Sequence, residues 1–191
     1  MPDLMKDEIL RAFEVLKNGG VILYPTDTVW GLGCDATNQS AVQKIFKIKT
    51  RAEGKSLIVL VNGAAMLERY IKYVPGIAYE ITGVSDSPVT IIYPDGKNLA
   101  AGVCSEDGSV GIRICNEVFC SELISRFRRP IVSTSANLSG NPLPSNFNEI
   151  EEVLIKSADY IVKYRQDDRR KYSASPVIKI DKNGVFKILR I

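Results

Sequence analysis

The spacing of apolar positions changes along the chain, and the first 25 residues already show two kinds of element. Between residues 3 and 17, apolar residues recur with a helical period, which predicts an amphipathic helix with one buried face. Asn18, Gly19 and Gly20 then supply a glycine stop. The apolar run 21–24 predicts a short buried strand, which Pro25 ends because proline cannot donate to a strand ladder.

The same criteria predict an α/β fold for the whole chain. Further helices are predicted at residues 40–49, 64–71, 77–81, 117–127 and 148–156, and further strands at 57–61, 89–93, 110–114, 130–132, 160–163, 177–180 and 185–189. Ser40 and Asn116 are the expected helix N-caps. Asn183-Gly184 between two apolar runs predicts a hairpin. We therefore expect a twisted mixed sheet with helices packed on it, in a single domain spanning residues 1–191.

Composition narrows the possible chemistry. No apolar run approaches the ~20 residues of a membrane helix, and the N-terminus lacks a signal pattern, so we expect a cytoplasmic protein with no membrane contact. The chain has no histidine, which excludes Ser-His-Asp, Cys-His and histidine-ligated zinc chemistry. Its four cysteines lack C-x-x-C spacing and are expected to be inert, reduced thiols. The formal charge of +3 suits an anionic ligand.

Two polar segments near the N-terminus are candidates for ligand binding. Thr26-Asp27-Thr28 follows a strand, at the position where open α/β sheets bind ligands; the alternative is a turn whose side chains satisfy the local backbone. Lys49, Arg51 and Lys55 form a cationic cluster. These cations repel one another unless an anion or water lies among them, so the cluster indicates either an anion site or a solvated basic loop.

Two further features lie in the second half of the chain. Arg113 is the charged residue of an apolar strand, and an unpaired buried charge costs on the order of several kcal/mol. It should therefore meet a carboxylate, from the protein or from a ligand, unless it faces outward. Residues 133–140 follow a strand and combine hydroxyl, amide and glycine residues, which favours either a concavity that binds phosphate or a polar loop that caps the strand.

These segments carry a family resemblance when taken in order. The matching motifs are Pro25-Thr26-Asp27-Thr28-Val29-Trp30-Gly31-Leu32, Lys49-x-Arg51, Lys55-x-Leu57, Gly111-x-Arg113 and Ser133-Thr134-Ser135-Ala136-Asn137-x-Ser139-Gly140. Together they resemble the YrdC-like family of threonylcarbamoyl-AMP synthases in its short, single-domain form. The resemblance implies a twisted open sheet with a concave ligand-binding face. It also implies a nucleotidyltransferase reaction: L-threonine, bicarbonate and ATP give L-threonylcarbamoyladenylate and pyrophosphate, for the t6A modification of tRNA.

The resemblance also implies roles for individual residues. Threonine would be bound by Thr28, Arg113, Ser133 and Ser175. ATP would be bound by Arg51, Lys55, Ser109, Ser135, Asn137 and Arg190. Lys49 and Arg51 would be catalytic, with Lys49 neutralising the phosphates. Mg²⁺ would accompany ATP, with no metal site in the protein itself, and the product would pass to downstream threonylcarbamoyl transferase machinery.

Two other functions remain open at this stage. A basic surface could bind RNA weakly and without catalysis, although aromatic residues are only 8% of the chain and do not alternate with basic ones as in stacking platforms. A carbamoyl-adenylate-forming domain of the kind found in hydrogenase-maturation proteins is the other alternative. Those proteins carry accessory domains that this sequence lacks.

Overall fold

The computed structural model describes residues 3–50 and 57–191. The helices are Asp3–Lys17 (α1), Gln39–Ile48 (α2), Ala64–Leu67 (α3), Gly76–Val84 (α4), Val118–Phe127 (α5) and Glu152–Ser157 (α6), with a 3-10 turn at Phe147–Glu149. The strands are Ile22–Tyr24 (β1), Gly31–Asp35 (β2), Ile58–Val61 (β3), Thr90–Tyr93 (β4), Val110–Ile114 (β5), Ile131–Ser135 (β6), Tyr160–Ile161 (β7), Val177–Ile180 (β8) and Phe186–Arg190 (β9).

The described strands form one sheet in the order β7-β1-β2-β6-β3-β5-β4-β8-β9. The pairs β1/β7, β3/β5 and β4/β8 are parallel, and the other neighbours are antiparallel. Helices α1 and α5 pack on each other, α1 also packs on β7, β1 and β2, and α5 packs on β3. The rings of Phe13 and Phe127 make an edge-to-face contact 6.3 Å apart. The predicted α/β fold with a mixed sheet and flanking helices is confirmed.

Strand β2 is the main element that the sequence pattern does not predict. Instead of extending the polar turn, this segment is fully buried and lies between β1 and β6. A Cβ atom at Gly33 would lie 2.6 Å from Tyr24 Cε1 and 2.8 Å from the Val132 carbonyl oxygen. Glycine is therefore required there because no side chain fits between the neighbouring strands. The Gly-Leu-Gly spacing obscures the strand, since glycine is depleted in strands.

We expect Gly33→Ala to lower the free energy of unfolding by about 1–3 kcal/mol, because the added methyl group overpacks the contact with Tyr24. Chemical denaturation measures this change. Gly83→Ala is the matched control: a Cβ atom there meets nothing within 4 Å, and alanine favours the helix by about 0.5–1 kcal/mol. Equal stability of the Gly33→Ala variant and the wild-type protein would show that the strands can separate to accept the methyl group.

Helix boundaries differ from the predicted ones by short distances. Asn38, rather than Ser40, caps α2, and its side chain accepts a hydrogen bond from the amide three residues on. Glu117, rather than Asn116, caps α5 in the same way. The helix predicted at 64–71 is confined to α3, and the one at 148–156 is divided between the 3-10 turn and α6. None of the helices in the described ranges combines the length and apolar character needed to cross a membrane.

The predicted C-terminal hairpin is confirmed. Strands β8 and β9 pair antiparallel, and the turn between them is closed by hydrogen bonds to Asp181. Strand β9 forms the edge of the sheet and is exposed along its length. The hairpin brings Arg190, near the C-terminus, back to the body of the sheet.

Candidate functional site

A cavity of about 240 Å³, here called the smaller cavity, lies on the face of the sheet from which Arg113 projects. Ile58 pairs with both Gly111 and Ser133, so side chains at these positions and at Arg113, two residues further along β5, share one face. The predicted site residues that line the cavity are Thr28, Arg113, Ser133, Ser135, Ser175 and Arg190. The structure therefore brings together the whole predicted threonine set and part of the predicted ATP set.

The size of the smaller cavity limits what it can enclose. Drug-sized ligands usually occupy pockets of roughly 300–1,000 Å³, so about 240 Å³ suits a small molecule such as an amino acid. Gly31 on β2 keeps the wall open, because a Cβ atom there would approach Ser133 Oγ to 3.0 Å and the Thr134 carbonyl oxygen to 3.3 Å. A larger ligand must extend beyond the cavity.

Arg113 is buried and has both an ionic partner and hydroxyl partners. Its Nη2 lies 2.9 Å from Asp27 Oδ1 and donates to Thr28 Oγ1 at 3.2 Å. Its Nη1 makes long hydrogen bonds of 3.5 Å to Thr90 Oγ1 and 3.4 Å to Ser175 Oγ. The carboxylate expected for this arginine is thus internal. Within the described residues, Arg113 Nε and Asp27 Oδ1 have no hydrogen-bond partner, so this contact is an ion pair without hydrogen-bond alignment.

The turn that carries Asp27 is fixed by its own hydroxyls. Thr26 Oγ1 accepts from the Thr28 amide at 3.0 Å and donates to the Val29 carbonyl at 2.9 Å. Arg165 Nη1 donates to the Thr26 carbonyl at 3.0 Å. The Thr26 side chain thus forms hydrogen bonds with backbone groups of its own turn, which was the alternative to a ligand-binding role. The same geometry also directs Asp27 at Arg113 and places Thr28 on the cavity wall.

Ser175 links the C-terminal hairpin to the cavity. Its Oγ lies 2.7 Å from Thr90 Oγ1, and its carbonyl oxygen accepts from Arg190 Nε at 3.0 Å and Nη2 at 2.7 Å. The polar and charged composition of segment 167–175 predicts an exposed loop, yet Ser175 is only 3% exposed. The expectation of exposure is wrong at this end of the segment, because Arg190 and Thr90 hold it against the sheet.

Asp168 organises the other end of the segment. Its carboxylate accepts hydrogen bonds from Arg170 Nη2 at 2.7 Å and the Tyr172 hydroxyl at 2.9 Å, and from Arg165 Nε at 3.4 Å. Hydrogen bonds from Arg170, followed by that from Tyr172, hold the pKa of Asp168 well below its usual range. These charged contacts were not predicted from the sequence, since two acidic residues followed by three basic ones also fit a solvated loop.

Lys49 is buried beneath the loop that follows β6. Its ammonium donates to the Ser135 carbonyl at 2.6 Å, to the Asn137 carbonyl, and to Asn137 Oδ1 at 3.0 Å. Neither Lys49 nor Asn137 is among the described residues that line the smaller cavity, and their assigned roles stay predictions. Arg51 and Lys55 lie outside the described residues, so their roles stay predictions as well.

Ser109 is separate from the other predicted residues. Its hydroxyl and amide donate to Asp107 Oδ1 at 2.6 and 2.9 Å, and Asp107 also pairs with Lys179 at 3.2 Å. These hydrogen bonds, led by the one from the Ser109 hydroxyl, lower the pKa of Asp107 to about 2. Ser109 is not among the described residues that line the smaller cavity, so the structure gives it an internal partner and leaves its ATP role a prediction.

The four cysteines are free thiols. Burial raises the pKa of Cys34, Cys104 and Cys120, which leaves little thiolate at neutral pH. Among the described residues, no group of three or more Cys, Asp or Glu is placed to hold a metal ion.

A second cavity of about 450 Å³, here called the larger cavity, adjoins the Asp27 turn. Its lining includes Asp27, Glu117, Arg165, Arg170 and Tyr172. The Asp27–Arg113 ion pair joins a residue of the larger cavity to one of the smaller cavity. We assign the candidate site to the smaller cavity because the predicted binding residues line it.

Two residues important to the smaller cavity were given no individual role in the sequence analysis, although one of them, Asp27, lies in the candidate segment 26–28. Asp27 supplies the charge that balances Arg113, and the isolation of an arginine in an apolar strand was the signal that such a carboxylate must exist. Thr90 touches both Arg113 and Ser175. Nothing in its strand sequence distinguishes it from an ordinary β-branched residue.

The mixed sheet and its cavity lined by hydroxyls and arginines define the chain as an α/β protein suited to a small carboxylate- or phosphate-bearing ligand. The Sua5/YciO/YrdC family model, described as "Telomere recombination", matches residues 14–191. The chain belongs to this family. A threonylcarbamoyl-AMP synthase of Psychromonas ingrahamii is 37% identical over 139 residues, which cover 71% of this chain and 73% of that protein.

Solved structures agree with this assignment. The H234A/Y235A variant of P. abyssi Sua5 matches with a TM-score of 0.84 and 26% identity, covering 95% of this chain. P. abyssi Sua5 complexed with L-threonine matches with a TM-score of 0.80 and 26% identity, covering 90% of this chain. This chain spans 55% and 50% of the lengths of those two chains, respectively.

Proposed function

We propose that this chain is an L-threonylcarbamoyladenylate synthase, a nucleotidyltransferase that makes L-threonylcarbamoyladenylate and pyrophosphate from L-threonine, bicarbonate and ATP. The product would supply a downstream threonylcarbamoyl transferase for t6A formation in tRNA. The observation that carries the proposal is the meeting of Thr28, Arg113, Ser133 and Ser175 at one cavity of amino-acid size. The name of the P. ingrahamii relative and the threonine complex of P. abyssi Sua5 support it.

Threonine would bind with its carboxylate toward Arg113, since a guanidinium matches a carboxylate in shape and charge. Hydroxyls of Thr28 and Ser133 would complete the polar wall. The threonine amine would add to bicarbonate with loss of water, giving a carbamate. A carbamate oxygen would then attack the α-phosphorus of ATP and pyrophosphate would leave. Such catalysis needs no histidine. The protein holds the reactants next to one another, and fixed cations stabilise the charge that develops on the phosphate.

ATP would extend from the smaller cavity because that cavity is too small to enclose a nucleotide. Ser135 lines the cavity, and its carbonyl also contacts Lys49, so the loop after β6 connects the threonine side to the predicted nucleotide residues. Mg²⁺ would arrive on the phosphates as MgATP, since Mg²⁺ is commonly held by substrate phosphates and a few oxygen ligands.

Incubation of the protein with ATP, bicarbonate and labelled L-threonine tests the proposed function. We expect pyrophosphate release that depends on threonine and a labelled adenylate product. Reactions without threonine or without bicarbonate are the controls. Salt-sensitive retention of RNA without turnover would instead favour the RNA-binding alternative, and turnover with carbamoyl phosphate would favour a domain of the hydrogenase-maturation type.

We expect Arg51→Ala to raise the KM for ATP by roughly 10-fold, because a hydrogen bond to a charged group contributes about 1.5 kcal/mol at the lower end of its range. Steady-state pyrophosphate release at varied ATP concentration measures the effect. Arg126→Ala, at an exposed position near the end of α5, is the control. Wild-type kinetics in the Arg51→Ala variant would remove Arg51 from the nucleotide site.

A further inference from the structure

The ion pair between Asp27 and Arg113 is one of the most buried charge pairs in the described structure. The side chains are 10% and 4% exposed, and their charged atoms lie 2.9 Å apart. Among the described residues, Asp27 is the only carboxylate that forms an ion pair with Arg113. The other contacts of this guanidinium are hydroxyl groups at 3.2–3.5 Å. Asp27 therefore balances a charge that nothing else in the described residues balances.

The position of this pair determines the electrostatic character of the smaller cavity. Arg113 lines the cavity, whereas Asp27 approaches its guanidinium from the turn that borders the larger cavity. Arg190 is the other cation on the described wall of the smaller cavity, but it is exposed on the edge strand, where water and salt weaken its field. The buried Asp27 carboxylate is screened much less.

A carboxylate near Arg113 acts differently on two kinds of ligand. A simple carboxylic acid brings only a negative charge, which Asp27 repels. An amino acid also brings an ammonium group, which Asp27 attracts. The interaction does not need a direct contact, because charges several ångströms apart interact appreciably at the effective dielectric constant of a protein.

We infer that Asp27 makes the smaller cavity selective for a zwitterionic amino acid over an amine-free carboxylic acid, acting through its buried ion pair with Arg113. This inference rests on the proposed function, in which the ligand of the cavity is an amino acid. Asp27 is thus a positioning and selectivity residue that aligns the guanidinium and sets the charge the ligand meets.

Calorimetric binding of L-threonine and of 3-hydroxybutanoate, which is threonine without its amine, tests the inference. The wild-type protein should bind threonine more tightly. In the Asp27→Asn variant, threonine should bind about 10-fold more weakly while 3-hydroxybutanoate binds as tightly as before or more tightly, so the affinity ratio falls. Asp27→Glu, which keeps the charge, should preserve the ratio within a few-fold. Asp86→Asn removes an exposed carboxylate of the larger cavity and should also preserve it.

A purely structural role of Asp27 predicts that both ligands weaken together, and that result would overturn the inference. Equal or tighter binding of 3-hydroxybutanoate to the wild-type protein would overturn it without any variant, as would failure to bind either ligand. Pyrophosphate release measured on the same wild-type sample separates the two claims. If the wild-type protein turns over threonine but the Asp27→Asn variant keeps the wild-type affinity ratio, only the selectivity role is contradicted. If the wild-type protein shows no turnover, the proposed function is contradicted.

Discussion

Replacing Arg113 by lysine is expected to raise the KM for threonine by about 10- to 100-fold and to change the KM for ATP by no more than a few-fold. A hydrogen bond to a charged group contributes about 1.5–3 kcal/mol, which corresponds to that range. Lysine keeps the positive charge that Asp27 requires but cannot reproduce the planar fork of the guanidinium. Steady-state kinetics with each substrate varied in turn provide the measurement.

Arg129→Lys is a matched control for this change. Arg129 also pairs with an aspartate, Asp35, at 2.8 Å. Gly31, at one end of β2, lines the smaller cavity, whereas Asp35 is at the other end of the same strand. The kinetics of Arg129→Lys should resemble those of the wild-type protein. A larger effect of Arg113→Lys on ATP than on threonine would show that the two substrates have been assigned to the wrong sides of the site.

We expect Lys49→Met to lower the free energy of unfolding by about 2–4 kcal/mol. The methionine keeps most of the side-chain volume but removes the ammonium that Ser135 and Asn137 oxygens accept from. Buried acceptors left without a donor cost about 1–3 kcal/mol each, and hydrogen bonds to a charged group contribute about 1.5–3 kcal/mol. Equilibrium denaturation of the variant measures the loss.

The control for this variant is Lys47→Met in the last turn of the same helix, where the side chain is exposed. Its stability should lie within about 0.5 kcal/mol of the wild-type value, as is usual at the surface. Unchanged stability of Lys49→Met together with a raised KM for ATP would mean that Lys49 serves the phosphates, as the family resemblance implies, and does not chiefly hold the loop.

Local patterns were sufficient to predict the elements whose signals are strong. The period of α1 and the Asn-Gly turn before β9 each indicate one structure by local stereochemistry. Strand β2 depends instead on its neighbours. Gly31 and Gly33 weaken its own strand signal, and only the approach of Tyr24 and Ser133 explains why glycine is needed at both positions. Such a strand is specified by tertiary packing. The spacing of apolar residues along the sequence carries no information on those contacts.

The same limit applies to the candidate site. Burial of Arg113 could be predicted from its apolar strand, and with it the need for a carboxylate. Which carboxylate fills that role depends on a contact between residues 27 and 113, far apart in sequence, and the strand order that creates the contact is not visible in either segment. The enclosure of Lys49 by Ser135 and Asn137 is a similar long-range result, because its helix alone favours a cation facing solvent.

The most direct test of the central claim is the position of L-threonine in crystals of this protein soaked with the amino acid. We predict that threonine occupies the smaller cavity, with its carboxylate within hydrogen-bond distance of Arg113 and its polar groups beside Thr28 and Ser133. Threonine bound instead in the larger cavity, away from Ser133 and Ser175, would contradict the claim that these separate segments form one amino-acid site.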